Sequence, residues 1–277
     1  MDKVLILDFG SQVTQLIARR VRELKVYCEI HPYNFSLDKI KQFDPKAIIL
    51  SGGPASVSFE NSPDIDNEIF NLGLPILGIC YGQQLMCKKL GGKVEPSEYR
   101  EFGRAKIELV ENSNLTSDIW QKLGLYQVWM SHGDKVSTLP EGFKTVAKSD
   151  DAPHAVIADE KRKFFGLQFH PEVVHTPDGE ALLYNFCINI AQCSQQWNMG
   201  NFLEMEIEKI RKQVGNKRVI AAVSGGVDST VVATLLNKAI GDQLTCIFID
   251  HGLLRKEEAK QVEELFHDYH INLDKVD

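Results

Sequence analysis

The sequence predicts an α/β fold: an open, mostly parallel sheet with helices on both faces, followed by the start of a second doubly wound α/β domain. Three observations carry the prediction. Short apolar runs alternate with amphipathic helical stretches, which implies right-handed crossovers and a sheet covered on both sides. Two of the runs end directly in glycine-rich turns, and in such sheets chemistry gathers beyond the carboxyl ends of the strands. The same alternation restarts after a polar stretch that follows residue 192.

Val4-Leu5-Ile6-Leu7-Asp8 reads as a buried parallel strand. Residues 13–24 follow as a helix with Val13, Leu16, Ile17, Val21 and Leu24 on one face. Residues 26–30, 47–50 and 75–79 read as further strands, the last running into a helical stretch behind Cys80 that Gly91-Gly92 closes. From Gly103 to Phe169 short β-like runs dominate, at 105–110, 126–130, 145–147, 155–158 and 164–169, and 178–192 returns to helix. The first domain is assigned to 1–193, and 194–216 to a linker and connecting helix with Phe202, Ile207, Ile210 and Val214 inward. In 217–277, a strand at 219–223, a loop at 224–229, a helix at 230–240, a strand at 244–250 and a helix at 257–269 precede the onset of a third strand. About 60 residues are too few for a self-sufficient doubly wound domain, so this segment reads as the N-terminal part of a truncated one.

The 277 residues, 43% hydrophobic and 25% charged, suffice for proper cores. A net charge of −7 argues against nucleic acid or an anionic membrane as partner. No run reaches membrane-span length, and Met1-Asp2-Lys3 leads straight into a strand, so no signal peptide is expected. Cys28, Cys80, Cys87, Cys187, Cys193 and Cys246 are scattered without metal-like spacing and read as free thiols of a reducing cytoplasm.

Chemistry concentrates at Gly78-Ile79-Cys80-Tyr81-Gly82-Gln83-Gln84. A cysteine between strand and helix, flanked by glycines, has the setting of a nucleophile elbow, where the helix N-terminus favours thiolate. A thiolate needs a base and a group to orient that base. Gln168-Phe169-His170-Pro171-Glu172 offers both, with His170 as base and Glu172 fixing its tautomer. His132 and His175 have loop settings that could touch a ligand; His31, His154, His251, His267 and His270 read as surface or locally bonded. The oxyanion donors are expected from Gly52-Gly53-Pro54, through Gly53, and from the amide of Tyr81. In the second unit, Ser224-Gly225-Gly226-Val227-Asp228-Ser229-Thr230 lies between strand and helix and makes an anion nest suited to phosphate, unlike a Walker A loop in spacing. Asp250, at the next strand end, is either an acidic ribose contact or a turn residue.

The two segments around Cys80 and His170 resemble the signatures of the class I glutamine amidotransferases over residues 3–192. The resemblance implies that Cys80 attacks the side-chain amide of L-glutamine, that His170 and Glu172 serve it, and that Gln84, Ser131 and His132 hold the amino-acid end of the substrate. Residues 224–230 resemble the pyrophosphate loop of the N-type ATP pyrophosphatases, which implies that Ser224, Gly225, Gly226, Val227, Asp228, Ser229 and Thr230 grip ATP, with Asp228 on the Mg2+ side. The tandem, supported by Ile249-Asp250-His251-Gly252-Leu253-Leu254-Arg255, resembles the family of glutamine-hydrolysing GMP synthetases. That implies ATP and Mg2+, XMP as acceptor of the ammonia, no prosthetic group and a homodimer of the full-length protein. A chain with the second domain truncated is expected to hydrolyse glutamine without making GMP. The alternatives are the glutaminase of another amidotransferase, or a non-catalytic ligand-binding module that keeps the elbow.

Overall fold

A computed structural model describes residues 1–250, 252, 254, 255 and 257–276, with the backbone alone at 98–100. His251 and Leu253 of the family-like segment lie outside the described residues. The chain forms two compact units, Met1–Trp197 and Asn198–Asp277.

The first unit is built on a nine-stranded sheet in the order β2-β1-β3-β4-β9-β8-β7-β5-β6. Strands β1 (Lys3–Asp8), β2 (Tyr27–Pro32), β3 (Ala47–Leu50), β4 (Ile76–Ile79) and β9 (Phe164–Leu167) are mutually parallel. Strands β5 (Lys93–Leu109), β6 (Leu125–Thr138), β7 (Lys144–Lys148) and β8 (Val156–Asp159) extend it with antiparallel pairs. The sheet is therefore mixed; Cys80, His170 and the Gly52-Gly53 turn follow strands of its parallel half, while Ser131 and His132 lie on β6 of the antiparallel half. The period-2 alternation of β1 divides the core. Val4 and Ile6 pack with α1 (Thr14–Glu23) and α4 (Gly179–Tyr184) on one face; Leu5 and Leu7 pack with α2 (Leu37–Phe43) and α3 (Tyr81–Lys89) on the other.

The predicted strands and helices of the parallel half lie within two or three residues of their observed bounds. Helix α2 and a short 3-10 turn at Asn67–Asn71 are additional. The antiparallel half differs more. The predicted runs at 105–110 and 126–130 are the inner parts of one long β5–β6 hairpin, in which residues 97–100 face the single partner Gly133. Ser131-His132-Gly133-Asp134 is thus strand, not loop. Polar residues and a glycine obscured it, while cross-strand pairing with β5 supplies the order that local propensity does not. The helix at 178–192 is α4 continued by a π-turn at Asn185–Ile190.

The second unit has a parallel sheet, β10 (Val219–Val223), β11 (Leu244–Ile249) and β12 (Leu273–Val276), in that order. It is accompanied by α5 (Met199–Val214), α6 (Val227–Ile240) and α7 (Glu258–Asp268). Its core joins Val223, Ala233, Leu244, Cys246, Phe248, Val262 and Phe266, with Ile207, Ile210 and Val214 of α5 packed against it. Phe202, expected inward, is only half-buried and not in that cluster, so the connecting helix meets the core through its later turns. The opposite sheet face is open: Ile220 is 72% and Ile249 56% exposed.

Candidate active site

Four strands of the parallel half end at one edge. Phe9, Ser51-Gly52-Gly53, Cys80 and Gln168-Phe169-His170 follow β1, β3, β4 and β9 there. Cys80 sits between β4 and α3 with φ 51° and ψ −105°, a conformation L-residues rarely adopt. The strain is held by packing. The Cys80 N–H donates to Leu167 O at 2.6 Å and Gly82 N–H to Ser51 O at 3.1 Å, so both neighbouring strands grip the turn. Only glycine fits beside it. A Cβ on Gly82 would lie 2.3 Å from Leu50 O, and one on Gly78 2.6 Å from the Gln83 nitrogen.

The thiol is 5% exposed and borders a cleft of about 480 Å³ lined by Gly53, Tyr81, Gln84, Ser131 and His132 among others. Its Sγ donates to Ser131 O at 3.4 Å. His170 follows β9 and is fixed to β6 through its main chain: its N–H donates to Trp129 O at 3.0 Å, and its carbonyl accepts from Thr176 Oγ1 at 2.7 Å. Nδ1 bonds Glu172 Oε1 at 2.7 Å, which leaves Nε2 for the hydrogen bond to Cys80. Burial alone would draw the imidazole down, but the hydrogen bonds to Cys80 and Glu172 outweigh it and raise its pKa. Glu172 is fully buried; among the described residues its Oε2 has no hydrogen-bond partner, and its main-chain carbonyl accepts from Arg20 Nε at 3.2 Å. Thiol, imidazole and carboxylate thus follow one another through hydrogen bonds, an arrangement suited to acyl transfer.

The expected oxyanion donors border the same cleft. Tyr81 is the first residue of α3, so its amide has no carbonyl one turn earlier in the helix to bond. Gly53 must be glycine, because a Cβ there would lie 2.8 Å from Phe9 O. Gly52 lies beside both side chains, where a Cβ would be 3.0 Å from His170 Cε1 and 3.8 Å from Cys80 Cβ. Gln84 is 3% exposed and gives its amide nitrogen to Asp134 O at 2.8 Å and to Gln168 Oε1 at 3.3 Å. His132 is 3% exposed, with Nε2 3.2 Å from Glu101 Oε2; burial lowers its pKa. His175, by contrast, packs its ring against Trp129 at 4.4 Å, outside the cleft lining.

Sequence reasoning missed two residues here. Gln168 has its Nε2 3.9 Å from Cys80 Sγ. Its i, i+2 relation to His170 was the available signal, since such residues share one side of an extended chain. Glu101 reaches His132 only because of the four-against-one register shift in the hairpin, which no local pattern announces. The other five cysteines sit in the cores, where burial pushes their thiols up: Cys28 and Cys193 to about 11, Cys87 to about 12, Cys187 and Cys246 in the same direction.

In the second unit, α6 begins earlier than predicted, so Val227, Asp228 and Ser229 form its first turn behind Gly226. Ser229 Oγ and Thr230 Oγ1 donate back to Gly226 O at 3.0 and 2.9 Å, which ties this first turn to Gly226. Ser224 Oγ accepts from Gly226 N–H at 3.3 Å and pairs with Ser229 Oγ at 3.2 Å. Gly225 has φ 75°, and a Cβ there would meet Val262 Cγ2 at 2.3 Å. Asp228 is in the first turn of α6, and among the described residues no three potential metal ligands cluster. Asp250 accepts from Gly252 N–H at 3.0 Å, a bond that the turn reading calls for. No helix among the described residues is long and apolar enough to cross a membrane.

Comparison with known proteins joins these observations. The chain is 58% identical to a glutamine-hydrolysing GMP synthase of Bartonella henselae over 98% of its length and 53% of the relative's. It is 57% identical to one of Rhizobium etli over 100% of its length and 53% of the relative's. The chain thus spans about half the length of the curated relatives it matches. Among solved structures, a putative GMP synthase subunit from Thermoplasma acidophilum superposes with a TM-score of 0.60 at 28% identity, covering 74% of this chain and 98% of that one. A glutamine amidotransferase from Thermotoga maritima shares the fold at a TM-score of 0.52 and 20% identity, over 97% of this chain and 96% of that one. Residues 199–276 match the PP-loop domain, and residues 5–190 match the family described as glutamine amidotransferase class-I. With the match running from within β1 to beyond β9, across the strands that build the Cys80 site, the chain belongs to the class-I glutamine amidotransferase family.

Proposed function

We propose that this chain is part of a glutamine-hydrolysing GMP synthetase, a ligase of purine biosynthesis, and that Cys80, His170 and Glu172 are the triad that frees ammonia from L-glutamine. The observation that carries this is the strained Cys80 elbow beside a His170 held at 2.7 Å by a buried Glu172, in a chain that continues into a PP-loop unit. Residues 1–193 are taken as the amidotransferase domain, 194–216 as its connection and 217–277 as part of the ATP pyrophosphatase domain.

The geometry supports the following course. His170 takes the Cys80 proton as Sγ attacks Cδ of glutamine, and the amides of Gly53 and Tyr81 receive the negative charge on oxygen. His170 returns the proton to the departing nitrogen, so that ammonia leaves and a glutamyl thioester remains. Water then attacks the thioester with His170 again as base, releasing glutamate and restoring the thiol. Glu172 holds Nδ1–H throughout and stabilises the imidazolium. The lining position of Gln84, Ser131 and His132 suits them to the amino-acid end of the substrate, through main-chain atoms where side chains are already engaged.

Residues 224–230 would bind ATP phosphates at the start of α6. Asp228 fits Mg2+ only as one carboxylate acting together with those phosphates, the usual arrangement for this ion, which neutralises phosphate charge when bound. ATP would adenylate XMP with loss of pyrophosphate, and ammonia would displace AMP to give GMP. The unpaired thiols support a cytoplasmic setting, and the same reading assigns the full-length protein a homodimer.

The test is ammonia release from L-glutamine. The chain should release it and Cys80→Ala should lose turnover by several powers of ten. A Cys80→Ala variant with full turnover would reject the triad. In the full-length protein, glutamine-dependent GMP formation from XMP and ATP should disappear with the same substitution.

A further inference from the structure

Among the described residues, the Cys80 sulfur has two polar neighbours besides His170, and they favour opposite protonation states. Ser131 O, at 3.4 Å, can only accept, so it suits an S–H donor. Gln168 Nε2, at 3.9 Å, can only donate, so it suits a sulfur that has lost its proton.

The orientation of the Gln168 amide is fixed from its far end. Asp134 O is an acceptor, so the Gln84 atom 2.8 Å away is the nitrogen. That nitrogen has a second hydrogen, and 3.3 Å from it lies the terminal atom of Gln168 that must therefore be the oxygen. The remaining atom of the Gln168 amide, turned to Cys80, is the nitrogen. Amide orientations are ordinarily inferred from such networks, and this one ends on a main-chain carbonyl that admits a single solution. Gln168 is 1% and Gln84 3% exposed, so water has little access to rearrange them. Around the sulfur, the titratable groups among the described residues are His170 with Glu172 behind it, Tyr81 next in the chain, His132 and Asp134 on β6, and Glu101 across the hairpin from His132.

We propose that Gln168 is a positioning residue for the nucleophile, held by Gln84 and Asp134 so that its N–H meets the Cys80 sulfur once the thiol proton has moved to His170. In that step the proton passes from Sγ to His170 Nε2 and the electron pair stays on sulfur. Sγ gives up its hydrogen bond to Ser131 O and accepts one from Gln168. The inference rests on Cys80 being the nucleophile of the proposed glutaminase.

The experiment is the pH dependence of Cys80 alkylation by iodoacetamide in the whole chain, followed by the mass of the Cys80 peptide. Gln168→Met keeps length but removes the donor. It is expected to slow alkylation at pH 7 about tenfold, the scale of one hydrogen bond to a charged group. The midpoint should move to higher pH, with the limiting rate at high pH unchanged. A merely structural role would lower the high-pH limit and leave the midpoint in place. Gln168→Glu, which turns an acceptor on the sulfur, should shift the midpoint further. Gln84→Met frees the Gln168 amide to turn and should shift it less, in the same direction.

An unmoved midpoint in a folded Gln168→Met variant overturns the inference. Should that variant not fold, an unmoved midpoint in Gln84→Met overturns it equally. Ammonia release separates the two readings. If Cys80→Ala still hydrolyses glutamine, the nucleophile assignment fails and takes the inference with it. If Cys80→Ala is inactive while the midpoints stay put, only the role of Gln168 fails.

Discussion

Replacing Glu172 by Gln removes one charge and almost no volume from a fully buried polar position of the site. The carboxylate is fully buried and bonds His170 Nδ1 at 2.7 Å, so the pair is a charge-assisted hydrogen bond with no solvent to screen it. Such a bond is worth about 1.5–3 kcal/mol, and at about 1.4 kcal/mol per decade its loss costs roughly tenfold to a hundredfold in any step that charges the imidazole. Glutamine hydrolysis by Glu172→Gln should fall by that factor. A Gln that offers its nitrogen to Nδ1 also imposes the wrong tautomer, which deepens the loss.

Stability should respond differently. Among the described residues Glu172 Oε2 has no hydrogen-bond partner, so removing the charge relieves a buried carboxylate that is only half satisfied. The sign with pH follows from His170. Its pKa is raised above the ordinary 6.5 because the bonds to Cys80 and Glu172 outweigh burial. A raised folded value contributes stability that is complete below 6.5 and disappears as pH rises through the folded value. The wild type should therefore out-melt Glu172→Gln at mildly acid pH, and the gap should close or reverse on the alkaline side. Thermal melts across that range, paired with ammonia release at one pH, are the assay. Undiminished hydrolysis in the variant, or a melting gap that does not change with pH, would refute the reasoning.

Gly52→Ala keeps an ordinary backbone angle but sets a Cβ 3.0 Å from His170 Cε1, so the ring must give by a few tenths of an ångström; melting should barely change while turnover drops about tenfold or more. Gly82→Ala brings a Cβ 2.3 Å from Leu50 O and should lower stability by about 1–3 kcal/mol, visible as a melting shift of several degrees, because the start of α3 has to move. Gly225→Ala should weaken ATP binding, since its φ of 75° disfavours a side chain and its Cβ would meet Val262 Cγ2 at 2.3 Å. Adding Val262→Ala should restore part of that binding, measured by calorimetry, and no restoration would place the whole cost in the backbone angle.

The parallel half of the first unit was legible because its strands are continuous apolar runs with glycine at the ends, the pattern that burial on both faces demands. The elbow was legible for a steric reason: Gly78 and Gly82 are there because Gln83 and Leu50 leave no room for a Cβ. His170 and Glu172 stood two residues apart, so their contact needed no knowledge of topology. The β5–β6 hairpin was not legible in full. Its register is set by cross-strand partners far apart in sequence, and the register shift at 97–100 breaks the alternation that would reveal it. Ser131 and His132 were named from the sequence, but their place beside Cys80 depends on that hairpin. Glu101 depends on the same pairing, while the Gln84–Gln168 contact joins α3 to the segment after β9, and side-chain amides carry no periodic signature.

The unequal treatment of the six thiols has a use at the bench. Burial has pushed five of them up, and among the described residues Cys80 is the cysteine on the wall of the cleft. A small electrophile at neutral pH should therefore add once per chain, and the adduct count of a preparation becomes a census of intact elbows. A second adduct would report an opened core before any melting curve did.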